Sequence, residues 1–232
     1  MIEIRGLRYA WPGASHDHLA IDALDIGTGE SVFLFGPSGG GKSTLLGVLA
    51  GVLVPRAGSV RLLDTDWAAL GGARRDAYRA RHVGYIFQQF NLLPYLDATG
   101  NVLLPCRFSR ERQRRAAHGH GSAAAAAHSL LERVGLARRE WSRPAALLSV
   151  GQQQRVAAAR ALIGQPEVVI ADEPTSALDA PLRDAFMDLL LGQCRAGGST
   201  LVFVSHDERL AARFDRVIAL ADINAAVSED RA

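Results

Sequence analysis

Apolar and charged residues alternate from Ile2 to Leu7, the pattern of a strand with one face toward solvent. Trp11-Pro12-Gly13 breaks that pattern as a turn. The short run Ser31-Val32-Phe33-Leu34-Phe35 ends at Gly36 and predicts a buried strand. A helix is expected from Ser43 to Gly51, a strand from Val60 to Leu63, and a second helix from Val156 to Ile163. Val168 to Ala171 and Leu201 to Val204 read as strands, with an amphipathic helix, Leu182 to Leu191, between them. Strands alternating with helices predict an α/β chain whose mainly parallel sheet is covered on both faces.

The stretch from about Asp97 to Leu148 has a different character. It holds the charged run Arg110 to Arg115, the tract Ala123 to Ala127, and apolar residues at helical spacing, Leu130, Leu131, Val134 and Leu136. Gly119 and Gly121 interrupt it. A mostly helical insertion is expected, with loops around His118 and His120 and with the arginine run as a solvated helix face. The two histidines are too isolated to suggest a metal site.

Composition narrows the class. A chain of 232 residues suffices for one elaborated domain or two small ones. With 48% hydrophobic and 22% charged residues it resembles an ordinary soluble protein, and a net charge of +2 gives no sign of a nucleic-acid partner. Cys106 and Cys194 lie far apart, as two thiols in a reducing cytosol would. The N-terminus lacks the basic-then-apolar order of a secretion signal. The longest apolar run, Leu45 to Val54, contains two glycines and is too short to span a bilayer. Any membrane role is expected through a partner, without direct insertion. The chain ends at Ala232 soon after its last expected strand, so no regulatory C-terminal domain is expected. Of 26 basic residues, 25 are arginine and one is Lys42. A GC-rich genome accounts for the bias, yet the lone lysine lies in a glycine-rich loop, where a compact ammonium fits between phosphate oxygens and a guanidinium fork does not.

That loop is Gly36-Pro37-Ser38-Gly39-Gly40-Gly41-Lys42-Ser43, between an expected strand and an expected helix. Its glycines let backbone N–H groups turn toward phosphate oxygens, and the helix adds its positive N-terminal end. Lys42 would reach the terminal phosphates and the Ser43 hydroxyl would ligate magnesium. Asp172 and Glu173 follow the strand Val168 to Ala171. Asp172 can hold a magnesium shell and Glu173 can polarise a water, although the pair alone would also suit acids capping the next helix. In Leu148-Ser149-Val150-Gly151-Gln152, Ser149 is a plausible helix cap beside an anion-binding helix start.

Together these motifs resemble the ATP-binding cassette (ABC) ATPases over essentially the full chain. Gly36 to Ser43 looks like the Walker A loop, Val168 to Glu173 like Walker B and Leu148 to Gln152 like the signature sequence. Ser176-Ala177-Leu178-Asp179 resembles the D-loop, Gln88 the Q-loop glutamine and His206 the switch histidine. The resemblance implies a P-loop NTPase (RecA-like) core with a mainly parallel sheet, an N-terminal antiparallel β portion and a helical subdomain. Residues 1–87 and 151–232 would form the core and about 88–150 the helical subdomain of a single ATPase domain. It further implies that Gly36, Pro37, Ser38, Gly39, Gly40, Gly41, Lys42, Ser43 and Thr44 hold ATP, with Trp11 stacked on adenine and Tyr9 the second choice. Plain core packing is the other reading of either ring. Ser149, Gly151 and Gln152 would reach a nucleotide across a head-to-tail homodimer, and Asp179 would also bind nucleotide. Ser43, Gln88 and Asp172 would hold Mg2+, and Glu173, His206, Gln88 and Lys42 would serve hydrolysis.

The family signature usually has glycine where Val150 stands, and a β-branched residue there disfavours positive φ and adds bulk near an approaching phosphate. Val83 to Pro94, followed by Asn101 to Pro105, looks like the lipoprotein-release and macrolide-export group. An integral membrane permease is the implied partner, and the implied location is the cytoplasmic face of the inner membrane. The ATPase of an amino-acid-type importer and a non-transport cell-division ATPase remain open beside this reading. A DNA-repair relative would carry long insertions that are missing here, and a P-loop kinase has no reason to contain Leu148 to Gln152.

Overall fold

The computed structural model describes residues 1–176 and 178–226. In chain order the strands and helices begin with β1 (Ile2–Tyr9), β2 (Leu19–Ile26), β3 (Ser31–Phe35), α1 (Lys42–Leu49), β4 (Ala57–Leu62), β5 (Thr65–Asp66) and α2 (Gly72–His82). There follow β6 (Val83–Ile86), α3 (Ala98–Phe108), α4 (Arg110–Ala117), α5 (Ala123–Arg133), α6 (Val150–Leu162) and β7 (Val168–Asp172). The last are α7 (Ala180–Gly197), β8 (Thr200–Val204), β9 (Arg216–Ala219) and α8 (Leu220–Ile223). The chain packs as two compact units, one holding Met1–Arg79 and the segment from Val202 onward, the other Ala80–Leu201. The helical stretch expected at about 88–150 falls wholly in the second unit, which also takes in β6, α6, β7 and α7.

In the first unit β2, β1, β4 and β5 form an antiparallel sheet in that order. Ile2 pairs with Ile26 on one side and Leu62 on the other, and the alternation along β1 turns Ile2, Ile4, Leu7 and Tyr9 inward. The register of β1 against β4 shifts between Arg5 and Arg8. At that bulge a Cβ on Gly58 would lie 2.2 Å from the Gly6 carbonyl oxygen, so only glycine lets the strands close. β3 is apolar without alternation because it is buried on both faces, and it pairs in parallel with β9 from Val32↔Arg216 to Phe35↔Ala219. Phe33 packs on Phe203 and Phe214, and the Asp215 carboxylate accepts from the backbone N–H and hydroxyl of Ser31.

In the second unit β6 and β7 pair in parallel, from Val83↔Val168 to Ile86↔Ala171. Val102, Cys106, Ala127, Leu131, Val156, Ala159 and Ile163 form a core among α3, α5 and α6. Small alanines let these helix backbones approach closely.

Arg110, Gln113 and Arg114 lie on the solvated face expected of the arginine run, and Arg112 departs from it. Arg112 is 1% exposed, and its guanidinium donates to the carbonyls of Val83, Ala161 and Ile163, closing the C-terminal end of α6. Burial holds that guanidinium down at about 10. Arg115 joins Glu167 at 2.8 Å, and His82 meets the other oxygen of the same carboxylate at 3.0 Å. Buried carbonyls at a helix end need donors, and an arginine fork supplies several at once. Gly119 and Gly121, both with positive φ, turn the chain between α4 and α5 as expected. Among the described residues no helix is long and apolar enough to cross a membrane.

Candidate functional site

The residues singled out from the sequence divide between the two units and lie at strand ends and helix starts. In the first, the loop from Gly36 leaves the C-terminal end of β3 and enters α1 at Gly41, whose φ of 96° is left-handed. α3, α4, α5, α6 and α7 are closed by their own Asp97, Ser109, Ser122, Ser149 and Asp179, whereas α1 has no side-chain cap and no acid in its first turn. A helix start of this kind, without a side-chain cap or an acid, suits an anion, to which the helix dipole adds. Lys42 Nζ donates to the carbonyls of Gly36 and Pro37 at 2.8 and 2.9 Å, which clasps the loop and leaves a third N–H for a ligand. Ser43 is exposed, while Thr44 is buried.

His206 follows β8 and is exposed. Its neighbour Ser205 donates its N–H to the Leu34 carbonyl at 3.3 Å, so His206 and the glycine loop leave neighbouring strand ends. Trp11 is 46% exposed and Tyr9 only 6%, with the two rings edge to face at 5.4 Å. Of the pair, the indole has a face open to a base. His18, not singled out from the sequence, lies beside both the indole and the loop. Its ring is 6.5 Å from that of Trp11, and its Nε2 would be 3.6 Å from a Cβ on Gly41.

In the second unit Gln88 and the acid pair leave adjacent parallel strands, since Ile86 pairs with Ala171. Ligands of open α/β sheets bind at this C-terminal edge. Burial, and then the charge of Asp172, hold the Tyr85 phenol well above its ordinary value. Glu173 has φ 47°, an uncommon conformation for a non-glycine residue, and its carbonyl accepts from Ser176 N–H at 3.2 Å. Strain of this kind concentrates at functional positions.

The start of α6 is a full capping box: Ser149 Oγ accepts from Gln152 N–H and Gln152 Oε1 accepts from Ser149 N–H. The Ser149 hydroxyl keeps its proton to donate. Val150 occupies the first helical turn, does not have positive φ and is 51% exposed. The backbone objection to a β-branched residue there is therefore overturned, because helical φ suits valine. Only its outward bulk remains. Asp179 caps α7 by accepting from Leu182 N–H, and Ala177 of the same segment lies outside the described residues.

Two further residues of α6 went unnoticed in the sequence. Gln154, buried, donates to the Pro174 carbonyl at 2.6 Å and so holds the turn after Glu173. Arg160 donates to the carbonyls of Phe90 and Asn91, which have φ of 59° and 47°. It thereby pins a left-handed pair just after Gln88. Burial lowers its guanidinium to about 10, still charged at neutral pH. Neither residue belongs to a local motif, and both act over tens of residues.

Residues 20–176 match the ABC transporter family. The chain belongs to that family. It is 39% identical over 224 residues to the uncharacterized ABC transporter ATP-binding protein YbbA of Escherichia coli (strain K12), covering 96% of this chain and 95% of that one. It is 40% identical over 222 residues to the lipoprotein-releasing system ATP-binding protein LolD of Novosphingobium aromaticivorans, covering 95% and 96%. Against the macrolide export ATP-binding/permease protein MacB of Rhodopseudomonas palustris (strain HaA2) identity is 41% over 225 residues, but the chain spans 33% of that protein's length. A solved dimeric structure of MJ0796, a bacterial ABC transporter cassette, superposes with TM-score 0.80 at 34% identity over 94% of both chains. A second, with equal scores, is a post-hydrolysis state of that cassette bound to ADP and Pi. The chain is thus an ABC ATPase cassette with a P-loop NTPase fold, homologous to ATP-binding components of the lipoprotein-release and macrolide-export type.

Proposed function

We propose that this chain binds Mg-ATP at Gly36–Thr44 and, as a head-to-tail homodimer on the cytoplasmic face of the inner membrane, powers an integral permease of the lipoprotein-release or macrolide-export type. The observation carrying this reading is the near end-to-end similarity to ATP-binding components that are whole chains, joined to an uncapped helix start behind Lys42. Trp11 takes the adenine, and Lys42 with the loop N–H groups neutralises the phosphates. The donor set for magnesium is hard oxygen, the Ser43 hydroxyl and the Asp172 carboxylate with Gln88, which suits an ion that keeps several waters and phosphate oxygens. Bound magnesium supplies charge neutralisation to the phosphoryl group. Glu173 orients the attacking water or takes its proton, and His206 contacts the γ-phosphate.

A capped, outward-facing helix start carrying Ser149, Gly151 and Gln152 is suited to a second copy's γ-phosphate. ATP then favours closure because only the closed dimer makes both sets of contacts, and that differential affinity is what moves a permease. The test pairs two variants. Glu173→Gln is expected to bind ATP, lose hydrolysis and run as a dimer on gel filtration with ATP, while Lys42→Ala loses hydrolysis without dimerising. Unchanged hydrolysis in Glu173→Gln removes that residue from its role, and retained hydrolysis in Lys42→Ala removes the phosphate assignment.

A further inference from the structure

β2 starts at Leu19, opposite Tyr9, and the residue before it is held on both backbone sides. His18 donates its N–H to the Tyr9 carbonyl at 2.7 Å, and its own carbonyl accepts from Asn224 Nδ2 at 3.2 Å. Asn224 is buried, and its Oδ1 accepts from Ala20 N–H at 2.7 Å, so the clamp is itself fixed. The imidazole is half-buried beside the start of α1, with Nε2 3.6 Å from where a Cβ of Gly41 would stand. Its ring centroid is 6.5 Å from that of the exposed Trp11.

A nucleotide is laid out as base, ribose and phosphates in sequence. With the base against Trp11 and the phosphates at the start of α1, the ribose comes to the side chain placed between them. A neutral imidazole carries one donor and one acceptor, and the vicinal ribose diol offers both in return. We propose that His18 binds the ribose hydroxyls and makes this cassette prefer ribonucleotides over deoxyribonucleotides. The proposal rests on the nucleotide reading of Gly36–Ser43. A site that hydrogen-bonds a substrate hydroxyl discriminates against the analogue lacking it, and for one neutral bond at a half-exposed position the preference is about three- to tenfold.

Calorimetric titration of the magnesium-loaded protein with ADP, 2′-deoxy-ADP and 3′-deoxy-ADP tests this without turnover. In the unaltered protein ADP is expected to bind about three- to tenfold more tightly than at least one deoxy form. His18→Val, a good strand-edge residue, should weaken ADP by that factor, leave the same deoxy form unchanged and so erase the preference. His18→Gln, which keeps a donor and an acceptor, should restore much of it. Equal weakening of all three nucleotides by His18→Val would reduce His18 to packing and overturn the proposal, as would equal binding of all three by the unaltered protein. If the unaltered protein binds none of them, the nucleotide reading itself fails, a result distinct from either.

Discussion

Val150 shows how far single residues can be read from a motif. Its position beside Ser149 marked it as unusual, but its backbone cost depended on a φ that no motif supplies. In place it is helical and half-exposed, so the valine acts only by what it presents outward. Val150→Gly is therefore expected to preserve or raise ATP turnover, since it removes bulk from the face offered to a second copy. Melting should fall by a few degrees at most, from a helix-propensity loss of up to about 1 kcal/mol. Steady-state hydrolysis and a thermal melt check it, and a large fall in turnover would show that the dimer face has adapted to the methyl groups. Lys42, Ser149, Asp172 and Glu173 stood out in the sequence because phosphate chemistry demands particular groups at short spacing. His18, Gln154 and Arg160 were not, because their partners, Gly41, Pro174 and Phe90–Asn91, are distant in the chain.

At the scale of elements, α6 is the organising piece of its unit. Ser149 caps its start, Gln154 grips the turn beyond Glu173, Arg160 pins the turn after Gln88, and Arg112 closes its end. One helix thus holds the turns after Gln88 and Glu173 in fixed register. Arg160→Met is expected to lower kcat about tenfold to a hundredfold by letting Gln88 drift, because small misplacements of catalytic groups are costly. ADP affinity should stay within twofold, and hydrolysis kinetics beside calorimetry separate the two. Loss of binding equal to loss of turnover would point instead to general unfolding of the unit. The strands β1, β3, β7 and β8 were readable from their apolar runs. β2 and α2 were not: β2 sets Ala20 and Ala23 among its apolar positions, and α2 buries only His82, its apolar side chains being three alanines and Tyr78. Within the arginine run only Arg112 misled, since charge pattern cannot reveal that it faces a ring of backbone carbonyls.

For the whole molecule, the ion pair around Glu167 sets how the protein meets acid. Burial alone would raise this carboxyl, but hydrogen bonding from His82 and the nearby charge of Arg115 outweigh it and hold it below its ordinary value. A depressed carboxylate contributes stability above its unfolded pKa, near 4.5, and loses it as pH falls through the lower folded value. The urea midpoint is expected to drop on going from pH 6 toward pH 4, and Glu167→Gln should flatten that limb. A limb of unchanged slope would assign acid sensitivity to other carboxylates. Each unit carries part of the proposed ATPase set, Trp11, Lys42, Ser43 and His206 in one and Gln88, Ser149, Asp172 and Glu173 in the other.

The bare start of α1 has a consequence for the lifetime of the protein. Five other helices carry their own caps, whereas this one would be completed by the nucleotide proposed to bind there. Nucleotide is then a part of the folded state, adding about 2.7 kcal/mol when present at a hundred times its Kd. The resistance of the cassette to heat and proteases would rise and fall with the nucleotide concentration of the cell that makes it.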